Sequence, residues 1–414
     1  MDRLSDHSFI LPNRGWLPSD IVSQIIEEFV LDLRFFGYDR CLDHESVSEL
    51  LRLRLVSKTW SEAIIPFAFH TVQLHTSKGI QLIIDNWSKI QAPDLPCPVK
   101  RLMIQDQVYL RPNDWERRCP ISLDQAAILI ELIGGNLNEL TLLFSGSFGI
   151  SQSLVKAISH IKHLKKLNLQ DDEDTATRKD YDPLLLSNLF DAIPKLEAFT
   201  LKYVHAIISE VKPLVLSTLK YFNFKYFDGN RDAIAHICQA AKESMRIIEY
   251  RGEIQEPELV FGPIANTLEG LFTFSLTDDI TQSTIDLKLP KLRLLRTRFG
   301  QEADDYGMYE NPILFLKWPI FHTIRTLVLD IDEGPYHLEE HLQHMGRDPF
   351  RKTPNLKHVI FIMSEGYKSC PVVPSKLVKD LKSHGIDCHS KPESNPEELM
   401  ELDLKLNGAV IRSS

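Results

Sequence analysis

One short pattern constrains what this chain can fold into. From about residue 99 onward an apolar residue, two variable residues, an apolar residue, one variable residue and a further apolar residue recur in order. The matches are Val99-Leu102-Ile104, Leu137-Leu140-Leu142, Leu164-Leu167-Leu169, Leu196-Phe199-Leu201 and Leu219-Phe222-Phe224, then Met245-Ile248-Tyr250, Leu268-Leu271-Thr273, Leu292-Leu295-Thr297, Ile324-Leu327-Leu329 and Leu356-Val359-Phe361. Their starts lie 38, 27, 32, 23, 26, 23, 24, 32 and 32 residues apart, which is the spacing of a repeated supersecondary unit. The last three positions alternate in, out and in, so each match predicts a short strand with one buried face. Helical stretches with suitable ends lie between them. Ser122 caps a run from Leu123 to Ile133 that stops at Gly134-Gly135, and Asp182-Pro183 opens Leu184 to Ile193. Asn230 opens the run through Ala240 and Lys242, and Pro374-Ser375 opens Lys376 to His384.

Strand, loop, helix and return, repeated, give parallel neighbours that bury a continuous core only when stacked. Over roughly residues 99 to 390 the chain resembles a leucine-rich-repeat protein. The resemblance implies an α/β solenoid with parallel strands on the concave face and helices outside. Ser145, Asp172, Val204, Phe227 and Glu253 stand where that family places asparagine or cysteine, so the repeats are irregular. The solenoid is expected over 77–390, with a solvated, charged insertion loop at 171–182. Residues 391–414, with Pro392, Pro396 and paired charges, read as a partly helical, loosely held tail.

Residues 1–76 lack the repeat. The stretch from Leu17-Pro18 to Phe29 reads as an amphipathic helix, with Asp20 in its first turn. Ile21, Ile25 and Phe29 form one stripe, and Val22 and Ile26 the adjoining one. Leu50 to Trp60 follows, with Leu51, Leu55 and Val56 on one face and Arg52 and Arg54 beside it. The opening Leu17-Pro18-Ser19-Asp20-Ile21 and the closing Leu53-Arg54-Leu55-Val56-Ser57-Lys58-Thr59-Trp60 resemble the F-box, over about 45 of the 414 residues. Residues 31 to 48 hold an insertion of about ten residues relative to that family. The resemblance implies a small all-α module that docks on the Skp-type adaptor, and through it the cullin scaffold, of a Skp–cullin–F-box ubiquitin ligase. Carried over, the docking positions are Leu17, Pro18, Ile21, Ile25, Ile26, Leu51, Leu55, Val56 and Trp60. The repeats would hold the protein to be ubiquitinated. The rival reading is a leucine-rich-repeat scaffold without a ligase role.

Composition sets further bounds. The chain is 43% hydrophobic and 25% charged, the make-up of a folded soluble protein, and its net charge of −10 argues against nucleic acid as partner. Its six cysteines include no C-x-x-C pair, which points to a reducing compartment. Neither a signal peptide nor a run of 18 apolar residues is present, so a cytoplasmic or nuclear protein without membrane contact is expected.

Several residues imitate catalytic motifs. His337-Leu338-Glu339-Glu340-His341 matches a zinc-protease pattern, but it falls between two repeat strands, where a repeat helix belongs. His384, Cys388 and His389, with Cys370, lack paired ligand spacing. The acidic run from Asp171 lacks a calcium loop's glycine, and neither Gly134-Gly135 nor the Gly146 to Gly149 segment makes a phosphate loop. No catalytic residue, metal or cofactor is expected.

The outward strand positions offer a candidate substrate surface. Lys202, Lys225, Arg251, Phe274 and Arg298 fall in one column, with Phe272 and Arg296 in the next and Tyr221 in the one before. A basic and aromatic strip on an acidic chain suits an acidic or phosphorylated segment of a protein substrate.

Overall fold

The computed structural model of the chain describes residues 17–32, 35–36, 41–42, 44–90, 97–105, 121–144, 150–171, 183–202, 208, 215–275, 288–298, 316, 319–332, 334–344, 348–363 and 372–408. Of the loop expected over 171–182, Asp171 ends a strand; residues 172–182, the Gly146 to Gly149 segment and Cys370 lie outside the described residues. The chain divides into two compact units, Met1–Val72 and Gln73–Ser414.

The first unit is built from α1 (Ser19–Asp32), α2 (His44–Leu53) and α3 (Lys58–Ala68), with a two-residue antiparallel pair, β1 (Phe35–Phe36) and β2 (Cys41–Leu42), between α1 and α2. That pair lies in the expected insertion and adds strand to a module expected to be all helix. Both α1 and α2 pack on α3, and Val22, Ile26, Leu50, Ile64 and Ala68 form the core. The stretch from Leu50 to Trp60 is not one helix. The Arg54, Leu55 and Val56 amides bond back three residues in a tight turn. The Ser57 hydroxyl then accepts from the Trp60 amide and starts α3, as a serine N-cap does.

The second unit is a parallel α/β solenoid, whose first strand starts at Thr71, two residues before the unit boundary. Twelve strands, β3 (Thr71–Leu74), β4 (Arg101–Gln105), β5 (Glu139–Phe144), β6 (Lys166–Asp171), β7 (Ala198–Lys202), β8 (Tyr221–Lys225), β9 (Ile247–Arg251), β10 (Gly270–Ser275), β11 (Leu294–Arg298), β12 (Thr326–Asp330), β13 (His358–Ile362) and β14 (Asp387–Lys391), lie side by side in chain order. The ten sequence matches correspond to β4 through β13. Their middle apolar residues stand opposite one another in register, Leu102, Leu140, Leu167, Phe199 and Phe222, then Ile248, Leu271, Leu295, Leu327 and Val359. All of them are buried.

Helices such as Leu123–Ile133, Gln152–Ser159, Pro183–Ala192 and Arg231–Ala240 return the chain between strands. Ser122 and Gln125 complete a capping box on the first. Asn230 is buried; its side chain accepts from the Phe227 amide and donates to the Lys225 carbonyl.

A backbone ladder at the strand starts locks neighbours together. Each of the nine carbonyls at Lys100, Asn138, Lys165, Glu197, Lys220, Arg246, Glu269, Arg293 and Arg325 accepts two amides of the next repeat, at 2.8–3.2 Å. Within the core, aromatic rings replace leucine from β7 to β9. Phe199 stacks on Phe222 at 5.8 Å, and Phe224 stacks on Tyr250 at 5.8 Å. Phe190 and Phe261 close the two ends edge-on. Truncating Phe222 to alanine removes a ring from the middle of this stack and should cost about 3–5 kcal/mol, read as a lowered midpoint in guanidinium unfolding.

The last strand pair carries a histidine contact. His358 Nδ1 and His389 Nε2 lie 3.1 Å apart across β13 and β14, a bond that needs a neutral ring on at least one side. Burial holds both imidazoles below their ordinary value of 6.5, and for His358 the neighbouring His389 adds to the effect. The unfolded chain therefore takes up protons at a higher pH than the folded one. The stability from these rings is present above pH 6.5 and is lost as pH falls below it. Amide exchange in β14, corrected for its chemical rate, should accelerate on moving from roughly pH 7.5 to 5, and His389→Gln should weaken that dependence.

Candidate interaction surfaces

The nine docking positions implied by the F-box resemblance separate into two groups. Leu17, Ile21 and Ile25 recur every four residues along one side of α1 and its approach, and remain 48%, 38% and 41% exposed. Pro18 is exposed beside Leu17. Leu55 and Val56, on the turn after α2, are 88% and 60% exposed. Among the described residues of the first unit these are the exposed large apolar side chains. Ile26, in contrast, is fully buried with Val22, and Leu51 and Trp60 pack against the same core. Ile26 is thus a core residue rather than a contact residue. A helix period of 3.6 allows either apolar stripe to face inward, and the bundle buries the one carrying Val22 and Ile26.

The open face of the solenoid sheet changes character along its length. From β4 to β8 its positions include Arg101, Thr141, Lys166, Asn168, Thr200 and Asn223. From β9 to β13 they include Ile247, Phe272, Leu294, Val328, Ile360 and Ile362, all buried. The helix Pro396–Asn407 covers them, placing Leu399 and Met400 in their midst, with Leu402 and Leu406 at the edge. It begins with a capping box, in which Asn395 accepts from the Glu398 amide and Glu398 accepts from the Asn395 amide. Gly270 allows the close approach: a Cβ there would stand 2.6 Å from Met400 Sδ. Over Pro396–Asn407 the expected tail is therefore a packed helix rather than a loosely held one, while residues 409–414 lie outside the described residues.

A buried carboxylate fixes this helix to the sheet. Asp403 has no exposed side-chain surface. One of its oxygens accepts from Thr326 Oγ1 at 2.6 Å and Asn407 Nδ2 at 3.0 Å. The other accepts from Arg325 Nη2 at 2.7 Å and from Arg293 Nη1, and Arg325 Nε spans the two. Arg293 also pairs with Glu269 at 3.2 Å. Burial draws both guanidiniums below their usual range, and for Arg325 the facing Arg293 adds repulsion. Full burial of a carboxylate is tolerated only with such partners. At the helix start, Glu397 meets Lys166 of β6 at 2.5 Å on the rim.

The predicted basic and aromatic strip is divided by this arrangement. Phe272 is 2% exposed within the covered cluster. Tyr221 packs against that cluster and donates to Glu249. Arg296 is paired with Asp330 at 3.3 Å, both largely buried. Beyond them Lys202 is half-buried, Lys225 lies over the Phe227 ring at 4.9 Å, and Arg251 is exposed. Phe274 and Arg298 belong to β10 and β11, and their side chains lie outside the described residues. Phe272 is thus inaccessible to a partner while the helix is seated.

The zinc-like pattern lies on the helix Gly334–His344, where His341 is buried and Glu339 meets Lys376 at 2.5 Å. Among the described residues no group of three or more His, Cys, Asp or Glu side chains is placed to hold a metal. None of the described helices is long and apolar enough to cross a membrane.

The sequence matches no protein-family model and no curated protein.

Asp403, Arg293 and Arg325 are the functional candidates that the repeat pattern does not mark. Two sequence signals lie near them: the Asn395-Pro396-Glu397-Glu398 helix start, and apolar residues that enter the outward strand positions after β8. For the first unit, Ile26→Asp should abolish its cooperative unfolding. Leu55→Asp, on an exposed turn, should shift stability by no more than about 0.5 kcal/mol. Thermal unfolding followed by circular dichroism measures both.

Proposed function

We propose that this protein is the substrate-recognition subunit of a Skp–cullin–F-box ubiquitin ligase, with an F-box as its first unit and irregular leucine-rich repeats as its second. One observation carries the reading. Leu17, Ile21, Ile25, Leu55 and Val56, five apolar side chains at positions the F-box resemblance assigns to adaptor docking, are exposed, although the unit has a formed core in Val22, Ile26, Leu50 and Ile64. Exposed apolar side chains at family docking positions are what a partner surface needs.

The contribution of such a subunit is position rather than chemistry. Holding a target near a charged ubiquitin carrier raises its effective concentration, and that is the whole mechanism required. The Skp-type adaptor binds the exposed residues of α1 and the turn before α3. The target binds the solenoid.

Apolar anchors at the centre of an interface cost about 2 kcal/mol or more on truncation. Leu17→Ala with Pro18→Ala, in the full chain, should therefore weaken capture of a purified Skp-type adaptor by at least roughly 30-fold, while the solenoid's thermal transition stays in place. Undiminished capture by the double variant, or no capture by the parent chain, contradicts the assignment.

A further inference from the structure

The open face from β9 to β13 has the chemistry of a helix-binding groove, and one helix already shows what it accepts. Its floor is Ile247, Phe272, Leu294, Val328, Ile360 and Ile362, and Arg293 and Arg325 converge on one carboxylate at its edge. The seated helix is amphipathic and acidic, with Glu397, Glu398, Glu401 and Asp403 against Lys405 alone. Leu399, Met400 and Asp403, at i, i+1 and i+4, project from one side, so two apolar groups enter the floor as the carboxylate reaches the arginines. Glu401 and Lys405 face solvent, with Leu404 40% exposed. Only residues 392–395 join the helix to β14. So short a link holds a ligand at an effective concentration on the order of millimolar.

We propose that this groove is a receptor for acidic amphipathic helices bearing a Leu-Met-x-x-Asp arrangement, and that the chain's own terminal helix is a tethered ligand which a partner's helix of the same chemistry displaces. An empty groove is costly: without an occupant it would expose six large apolar side chains and take the Asp403 carboxylate away from both guanidiniums, leaving only Glu269 beside Arg293. Exchange of one helix for another avoids both costs. The tether then sets a threshold that a partner must exceed, and any change that weakens the Asp403 contact lowers that threshold. This holds whether or not the first unit docks on an adaptor.

The probe is a fluorescently labelled synthetic peptide of residues 392–408, added to the full chain carrying an inserted protease site between Glu393 and Ser394. Before cleavage, micromolar peptide should not bind, because the tethered helix outcompetes it. After cleavage and dilution it should bind, and a peptide with Asp403→Lys should bind at least roughly 100-fold more weakly, as expected for losing a buried charge partner. Binding of both peptides alike, or no exchange after cleavage, overturns the proposal. Hydrogen exchange on the intact chain gives a second reading that needs no cleavage. Amides of 399–407 should exchange at least about tenfold faster than those of β9 to β12, as a separately opening unit does. Exchange of helix and strands at one common rate would mean that the helix leaves only on global unfolding, and would also overturn the proposal.

Discussion

The second unit depends on the fact that no single repeat can bury its own apolar face. A strand such as Glu139–Phe144 has Leu140 and Leu142 on one side, and these reach full burial only between neighbouring strands and a returning helix. Register is therefore the controlling constraint, since a slip of one residue would turn the whole inward set to the open face. The paired amide bonds to the nine carbonyls at the strand starts hold that register. Several of those ladder residues bear charged side chains that pair between repeats, as Glu197 does with Lys165 and Lys220 at 3.0 and 3.1 Å. The two lysines hold the Glu197 carboxyl below its ordinary value. Exposed pairs of this kind contribute little individually; the backbone ladder and the buried column do most of the work of alignment.

The same logic explains the terminal helix. A sheet with one face backed by helices leaves the other face to water, and its outward residues should then be polar, as they mostly are from β4 to β8. From β9 onward a contiguous apolar group, Ile247, Phe272, Leu294, Val328, Ile360 and Ile362, stands among them and must be covered. Asp403 adds direction to that cover, because only one placement of the helix brings a single carboxylate to Arg293, Arg325 and Thr326 together. Removing one partner of a charge pair buried this way leaves the other uncompensated and is strongly destabilising.

Much of the fold is legible in the sequence because its signals are local and repeated. The ten L-x-x-L-x-L matches fall on β4 to β13, and Ser122 with Gly134 bounds its helix within a residue. Where several local solutions are equivalent, the sequence alone does not choose. On α1 the stripes of Ile21 and Ile25 and of Val22 and Ile26 are equally apolar, and only packing on α3 decides which faces inward. The terminal helix has readable caps, but its seat on Gly270 and its ion pairs to Arg293 and Arg325 join residues 78 or more positions apart, beyond any periodicity. β3 and β14 escape the pattern for a related reason. End strands have a neighbour on one side only, and β14 is left half-exposed to exposed throughout, so its residues need not repeat the apolar code.

Coupling between the terminal helix and the sheet can be measured directly by a double-mutant cycle on Arg293 and Asp403. Arg293→Met, Asp403→Leu and the double variant would be unfolded in guanidinium beside the parent chain. Residues in buried contact show interaction energies of roughly 0.5–3 kcal/mol, and this fully buried pair is expected in the upper part of that range. An interaction energy indistinguishable from zero would mean that the helix does not occupy the sheet in solution, and would contradict the account at its centre.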